Sequence, residues 1–171
     1  KKTLPLFITG SEMSVATTYE EKIGSAQVKS SIILACLDSP GRSEIKELKK
    51  SRDHTENMLK FVGAGIKVKK FKTYNLISIE GQKDFKSFDL SIFGDISSAS
   101  YILALTILNK NSKVIIKNVN LNPTRTGIIT ILKYMKAKVI LKNKKFQYGE
   151  LVGDIVAKSS LNLKSINCPK F

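Results

Sequence analysis

The chain repeats itself, and that constrains its fold more than any other feature. The stretch "ENMLKFVGAGIKV" (56–68) matches "ITILKYMKAKVIL" (129–141): aliphatic, Leu, Lys and aromatic residues, then Ala, then a β-branched run. Leu59 pairs with Leu132, an offset of 132 − 59 = 73 residues. Upstream, "GSAQVKSSIILACL" (24–37) resembles "GDISSASYILALTIL" (94–108), with Gly24 and Gly94 offset by 94 − 24 = 70. A longer turn in the second copy is expected to supply the three extra residues. In each copy a Gly-led turn opens a first helix, expected near 26–37 and 97–108. A strand follows, "SEIKEL" (43–48) or "KVIIKNV" (113–119), then a second helix near 53–62 or 124–136. Two short β-branched strands close each copy. The helical spacing of Ile128, Ile131, Leu132 and Met135 and the alternation of the strands separate the two element types. The unit reads αβαββ, so the chain is expected to be an α/β protein of tandem units. A period near 70 is too long for a common solenoid. "TLPLFITG" (3–10) is read as the tail strand of an earlier copy, and "FDLSIF" (88–93) as a strand-like bridge between copies. "LKSINCP" (163–169) takes the bridge's place after the second copy, so the sequence reads as cut from something longer at both ends.

Composition narrows the function classes. Of 171 residues, 42% are hydrophobic, enough for a core, and 25% charged residues argue against disorder. No apolar run reaches the length of a membrane span and no secretory signal opens the chain, so no membrane partner is expected and the cytoplasm is the default location. The net charge is +15. Nucleic acid is discounted as the reason: the basic residues are spread along the chain, only Arg42, Arg52 and Arg125 are arginines, and no basic helix or aromatic-basic strand occurs. A solvated lysine surface explains most of the excess, and it would also help to capture an anionic small substrate. Cys36 and Cys168 have no CxxC or histidine company. Cys36 is expected as a small buried thiol on an apolar helix face, and no metal is expected.

Four polar motifs stand at the expected helix starts: "SAQVK" (25–29), "SRDHTE" (51–56), "GDISSAS" (94–100) and "NPTRTG" (122–127). Taken singly, each is explained by capping, with Ser51 or Asp53 capping one helix, Asn122 or Thr124 another, and Glu56 in a first turn. Free N–H groups and the helix dipole at such starts also favour an anion. Taken together, in this order and spacing, they resemble the EPSP synthase (3-phosphoshikimate 1-carboxyvinyltransferase) family, and within it the class II branch, many of whose members tolerate glyphosate. The resemblance covers nearly the whole chain. It implies the enolpyruvyl transferase fold, an inside-out α/β barrel of two lobes built from βαβαββ-type units. Residues 1–93 would be the C-terminal part of one lobe and 94–171 part of the second.

The resemblance also implies a reaction. The enolpyruvyl group of phosphoenolpyruvate passes to the 5-hydroxyl of shikimate 3-phosphate through a tetrahedral intermediate, releasing phosphate. No cofactor or metal is implied, and the parent enzyme is expected to be monomeric. Ser25 resembles the serine whose hydroxyl binds the 3-phosphate, with the Ala26 N–H as a second donor. Gln27 resembles the glutamine between the two substrates. Arg52 resembles the class II arginine near the same phosphate, where a planar fork suits bidentate contact. Lys29 is expected to be solvated or ion-paired. His54, the only histidine, is expected to hydrogen-bond Asp53 or Glu56 rather than act as a base. Asp95 and Arg125 are expected as caps or cleft wall, and Gly94 and Gly127 as sites of bends and close packing. The family's substrate cluster of the N-terminal region, its phosphoenolpyruvate loop and its acid–base residues are not among these residues, so no catalytic residue is assigned. Two other readings are an enolpyruvyl transferase for a UDP-amino sugar, against which "SAQVK" and "RDHTE" speak, and a non-catalytic α/β binding module.

Overall fold

The computed structural model describes residues 5–7 and 9–167. The chain divides into two units, residues 1–50 with 63–86 and residues 51–62 with 87–171. Residues 51–62, with the second helix of the first repeat (His54–Phe61), thus group with the second repeat, as do residues 87–93.

In unit 1, β1 (Thr18–Glu21) leads into α1 (Ala26–Asp38) and β2 (Arg42–Glu47), and β3 (Gly65–Lys70) and β4 (Asn75–Glu80) close the sheet. The order is β1-β2-β4-β3. β1 runs parallel to β2, and β4 is antiparallel to both its neighbours. On one face of the sheet Ser43, Ile45 and Glu47 alternate with exposed or half-exposed neighbours, opposite Ile79, Ile77 and Asn75. Helix α1 packs on β2 and β4 and buries Lys29, Ile33 and Cys36, residues at i, i+4 and i+7 of one stripe. Cys36 is the buried thiol expected; Cys168 lies outside the described residues.

Unit 2 adds α2 (His54–Phe61), α3 (Ile96–Leu108), β5 (Lys113–Asn120), α4 (Gly127–Tyr134), β6 (Lys138–Gln147) and β7 (Glu150–Lys158), with sheet order β5-β7-β6. Its core joins Leu103 and Ile107 of α3, Ile129 and Leu132 of α4, and Val139, Ile155 and Ala157 of the sheet. No helix among the described residues is long and apolar enough to cross a membrane.

The repeat is visible in the element bounds. Helices α1 and α3 have 13 residues each and start 96 − 26 = 70 apart; α2 and α4 have 8 each and start 127 − 54 = 73 apart. The three added residues are not one longer turn. One lies between helix and strand, and two lie in β5, which has 8 residues against 6 in β2. A bulge between Ile116 and Val119 takes up one of those two against β7. A second bulge interrupts β6 after Lys142. Asn118 and Asn143, at φ 53° and 50°, make the left-handed steps that asparagine tolerates. Asp154 ties both bulges, accepting from the Asn118 N–H (3.0 Å) and the Asn143 amide (2.7 Å).

Three stretches expected to be strand-like form no strand among the described residues. In "TLPLFITG" the described residues Pro5–Phe7, Thr9 and Gly10 form no strand, and the rest lies outside the described residues. The strand that precedes α1 is β1, whose two glutamates hid it. "FDLSIF" is not a strand either: Gly94 alone makes a single parallel bridge to Val119. Its aromatic side chains are engaged elsewhere, Phe88 edge-on to Phe61 (5.3 Å between centroids) and Phe93 stacked on Tyr148 (5.8 Å). Residues 163–167 of "LKSINCP" are irregular, and 168–169 lie outside the described residues.

Candidate functional site

All four polar motifs open helices, and the way each start is satisfied differs. At α1, Ser25 is the N-cap and its Oγ accepts from the Val28 N–H at 3.3 Å. Gln27 is exposed on the first turn, while Ser25 and Ala26 are half-buried. The first N–H groups of a helix have no acceptor inside it, so Ala26 and Gln27 offer donors at the positive end of the dipole. The turn before Ser25 is shaped by Gly24, at φ +80°; a Cβ there would lie 3.1 Å from Lys49 Cβ.

Beneath this start lies a polar cluster at the end of the unit 1 sheet. Lys29 Nζ meets Glu47 Oε1 at 2.7 Å, with side chains 0% and 2% exposed. Asn75 Nδ2 donates to Glu47 Oε2 at 2.7 Å. Lys29 is therefore ion-paired as expected but not solvated. The signal was present in the sequence: Lys29 sits on the Ile33/Cys36 stripe, and Glu47 on the Ile45 face of β2. The buried carboxylate of Glu21 on β1 was also missed, and it accepts three N–H groups of the turn into α1.

In unit 2, Arg52 is exposed in the turn before α2. Asp53 holds the N-cap position of α2 but makes no side-chain cap bond. Its Oδ1 instead accepts from Asn122 Nδ2 at 2.7 Å. Asn122 is 1% exposed and organises the turn before α4, accepting from the Thr124 N–H (2.8 Å) and hydroxyl (2.7 Å). Neither Asn122 nor Thr124 is the N-cap of α4; that position is Thr126, also without a side-chain cap bond. Asn122 Nδ2 further donates to Glu150 Oε2 at 3.0 Å.

The imidazole of His54 pairs with neither Asp53 nor Glu56. Its Nδ1 lies 2.7 Å from Glu150 Oε1, a residue 96 positions away. Burial pushes the Glu150 carboxyl up, but the bonds from His54 and Asn122, the charge of a protonated His54 and the Asn57 amide together hold it below its ordinary value. At α3, Asp95 is the cap expected, accepting from the Ser98 N–H at 3.0 Å, and Arg125 Nη2 reaches its other oxygen at 2.8 Å. The Ser98 backbone bond is the main reason its pKa is lowered. Gly94 has no positive φ, and a Cβ there would make only ordinary contacts, so no bend or close packing explains it.

Unit 2 also holds a cavity of about 250 Å³ between Met58, Phe88, Leu90, Phe93 and Tyr148, with Asp95 and Glu150 on its wall. Its lining is largely apolar, and its Arg125 and His54 are already engaged by the carboxylates of Asp95 and Glu150, which suits a polyanion poorly. None of Ser25, Ala26, Gln27 and Arg52 lines it. No group of three or more metal-ligating side chains converges among the described residues.

The family model described as EPSP synthase (3-phosphoshikimate 1-carboxyvinyltransferase) matches residues 1–170. The chain belongs to the EPSP synthase family. A 3-phosphoshikimate 1-carboxyvinyltransferase of Caldicellulosiruptor bescii is 45% identical over 168 residues, 98% of this chain and 38% of that protein. One from Leptospira interrogans is 41% identical over 170 residues, 99% of this chain and 38% of that protein. The solved EPSP synthase from Acinetobacter baumannii superposes with a TM-score of 0.82 at 36% identity, covering 95% of this chain and 36% of that one. The α/β fold expected from the repeat is thus that of EPSP synthase structures. The chain spans about 38% of the length of the curated relatives it matches.

Proposed function

We propose that this chain serves an EPSP synthase that transfers the enolpyruvyl group of phosphoenolpyruvate to the 5-hydroxyl of shikimate 3-phosphate. Its share of the site is a set of shikimate 3-phosphate contacts: Ser25, Ala26 and Gln27 at the start of α1, and Arg52 before α2. The observation that carries the reading is the start of α1, where "SAQVK" presents a capping hydroxyl, first-turn N–H groups and an exposed Gln27 in a chain of this family. Membership of residues 1–93 in one lobe and 94–171 in the other rests on the repeat and the resemblance. The resemblance likewise supports a monomeric, cytoplasmic parent and shikimate 3-phosphate over a UDP-amino sugar.

The chemistry of these groups is positioning and charge. The Ser25 hydroxyl, while accepting from Val28, still carries a hydrogen to donate to a phosphate oxygen. The Ala26 N–H and helix dipole add to it. An arginine fork can hold two phosphate oxygens at once, fixing the ring whose hydroxyl reacts. The residues here include none of the family's acid–base groups, so the 171-residue chain alone is expected to bind weakly and not to turn over.

Titration of the chain with shikimate 3-phosphate tests this. Arg52→Ala should weaken binding by about 1.5–3 kcal/mol, the usual range for a hydrogen bond to a charged group. Phosphate release with both substrates should stay at background. Turnover by the chain, or binding indifferent to Arg52, would overturn these roles.

A further inference from the structure

Glu21 ends β1 and is 0% exposed. A carboxylate so placed needs partners, and it finds them in one short turn. Oε1 accepts from the N–H groups of Ile23 (3.0 Å), Gly24 (3.0 Å) and Ser25 (3.2 Å), and Oε2 from Gly24 (2.8 Å). The left-handed step at Gly24 curls these donors around one anion, as in backbone anion nests. Here the anion is the protein's own. The strand is anchored in turn by the Leu48 N–H, which donates to the Glu21 carbonyl at 2.9 Å, and by pairing of Glu21 with Glu47.

The arrangement is particular to the first copy. At the offset of 70 the counterpart of Glu21 is 21 + 70 = 91, which is Ser91. The start of α3 is held instead by Asp95 capping Ser98. Only the copy with the proposed substrate turn has a carboxylate bracing that turn from below.

We infer that Glu21 is a positioning residue for shikimate 3-phosphate binding: it occupies the inward N–H groups of residues 23–25 and so fixes the turn that presents Ser25 Oγ and the Ala26 and Gln27 donors. This rests on the reading of Ser25, Ala26 and Gln27 as shikimate 3-phosphate contacts. Charge-assisted bonds to a buried acceptor are the strong ones, so their loss frees a turn that ligand binding must then order.

Three measurements on the chain decide it. In the wild type, amide exchange at Ile23, Gly24 and Ser25 should be as slow as in the interior of α1; free exchange there overturns the inference without any variant. Glu21→Gln should speed that exchange and weaken shikimate 3-phosphate binding about fivefold, roughly 1 kcal/mol, measured where both proteins are fully folded. Glu20→Gln removes the same charge from the neighbouring, half-exposed side chain that faces Lys22 and Lys46, and should leave affinity unchanged. A bracing role without positioning would lower the unfolding midpoint of Glu21→Gln and spare affinity, which overturns the inference. The two readings fail differently. Binding that Arg52→Ala weakens and Glu21→Gln does not would sink the inference alone. No binding by the wild type would sink the substrate assignment and the inference with it.

Discussion

Replacing Lys29 by Met tests whether the unit 1 sheet tolerates an unbalanced buried charge. Lys29 and Glu47 meet at 2.7 Å with side chains 0% and 2% exposed, so neither has bulk water to fall back on. Met matches the lysine stem in bulk and removes only the cation. The Glu47 carboxylate keeps its bond from Asn75 but loses the counter-charge that Lys29 supplies. Breaking such a pair from one side costs about 3–5 kcal/mol, far above the 0–1 kcal/mol of a surface pair. Against a typical domain stability of about 5–15 kcal/mol, that is a large part of the whole. Pairing Lys29→Met with Glu47→Gln removes the carboxylate that faced the lost cation and leaves an amide oxygen for Asn75, so the double variant should recover at least about 1.5 kcal/mol relative to additivity. Native-state amide exchange at Ile45 and Ile77, in the centre of that sheet and both 0% exposed, reads the stability of unit 1 alone. A loss below about 1 kcal/mol for Lys29→Met, or additive behaviour in the cycle, would refute the reasoning.

Two further outcomes concern unit 2. The Glu150 carboxyl is held below its ordinary value of 4.5, so its contribution to stability is complete above that pH and is lost as pH falls through the lowered folded value. Urea midpoints should therefore decline below about pH 4.5, and His54→Ala should flatten that decline; an acid limb identical in both proteins would count against the pair. Asp95→Ala removes the α3 cap and should cost about 0.5–2 kcal/mol, whereas Asp95→Asn keeps a capping oxygen and gives up only the half-exposed contact with Arg125, worth at most about 1 kcal/mol. Equal thermal shifts for the two variants would show that capping is not what Asp95 supplies.

The sequence by itself determined the architecture at the level of local order. The 70- and 73-residue offsets reappear in helices α1/α3 and α2/α4, because helix length and strand closure follow from short-range periodicity and turns repeated in both copies. The four polar motifs all open helices, and at α1 and α3 the reason is local: Ser25 and Asp95 accept N–H groups that the helix itself leaves without acceptors. The family, too, was legible, because its motifs lie at those starts. Partners distant in sequence were decided only by the tertiary structure. His54 meets Glu150, Asn122 reaches Asp53, and Lys29 meets Glu47 across 96, 69 and 18 residues. No local rule ranks such partners, since burial decides which charges must pair, and burial depends on sheet order. The same holds for β1, a strand of threonine, tyrosine and two glutamates. It became a strand because β2 offered it an edge, and its buried carboxylate found its donors only when the turn into α1 folded back over it.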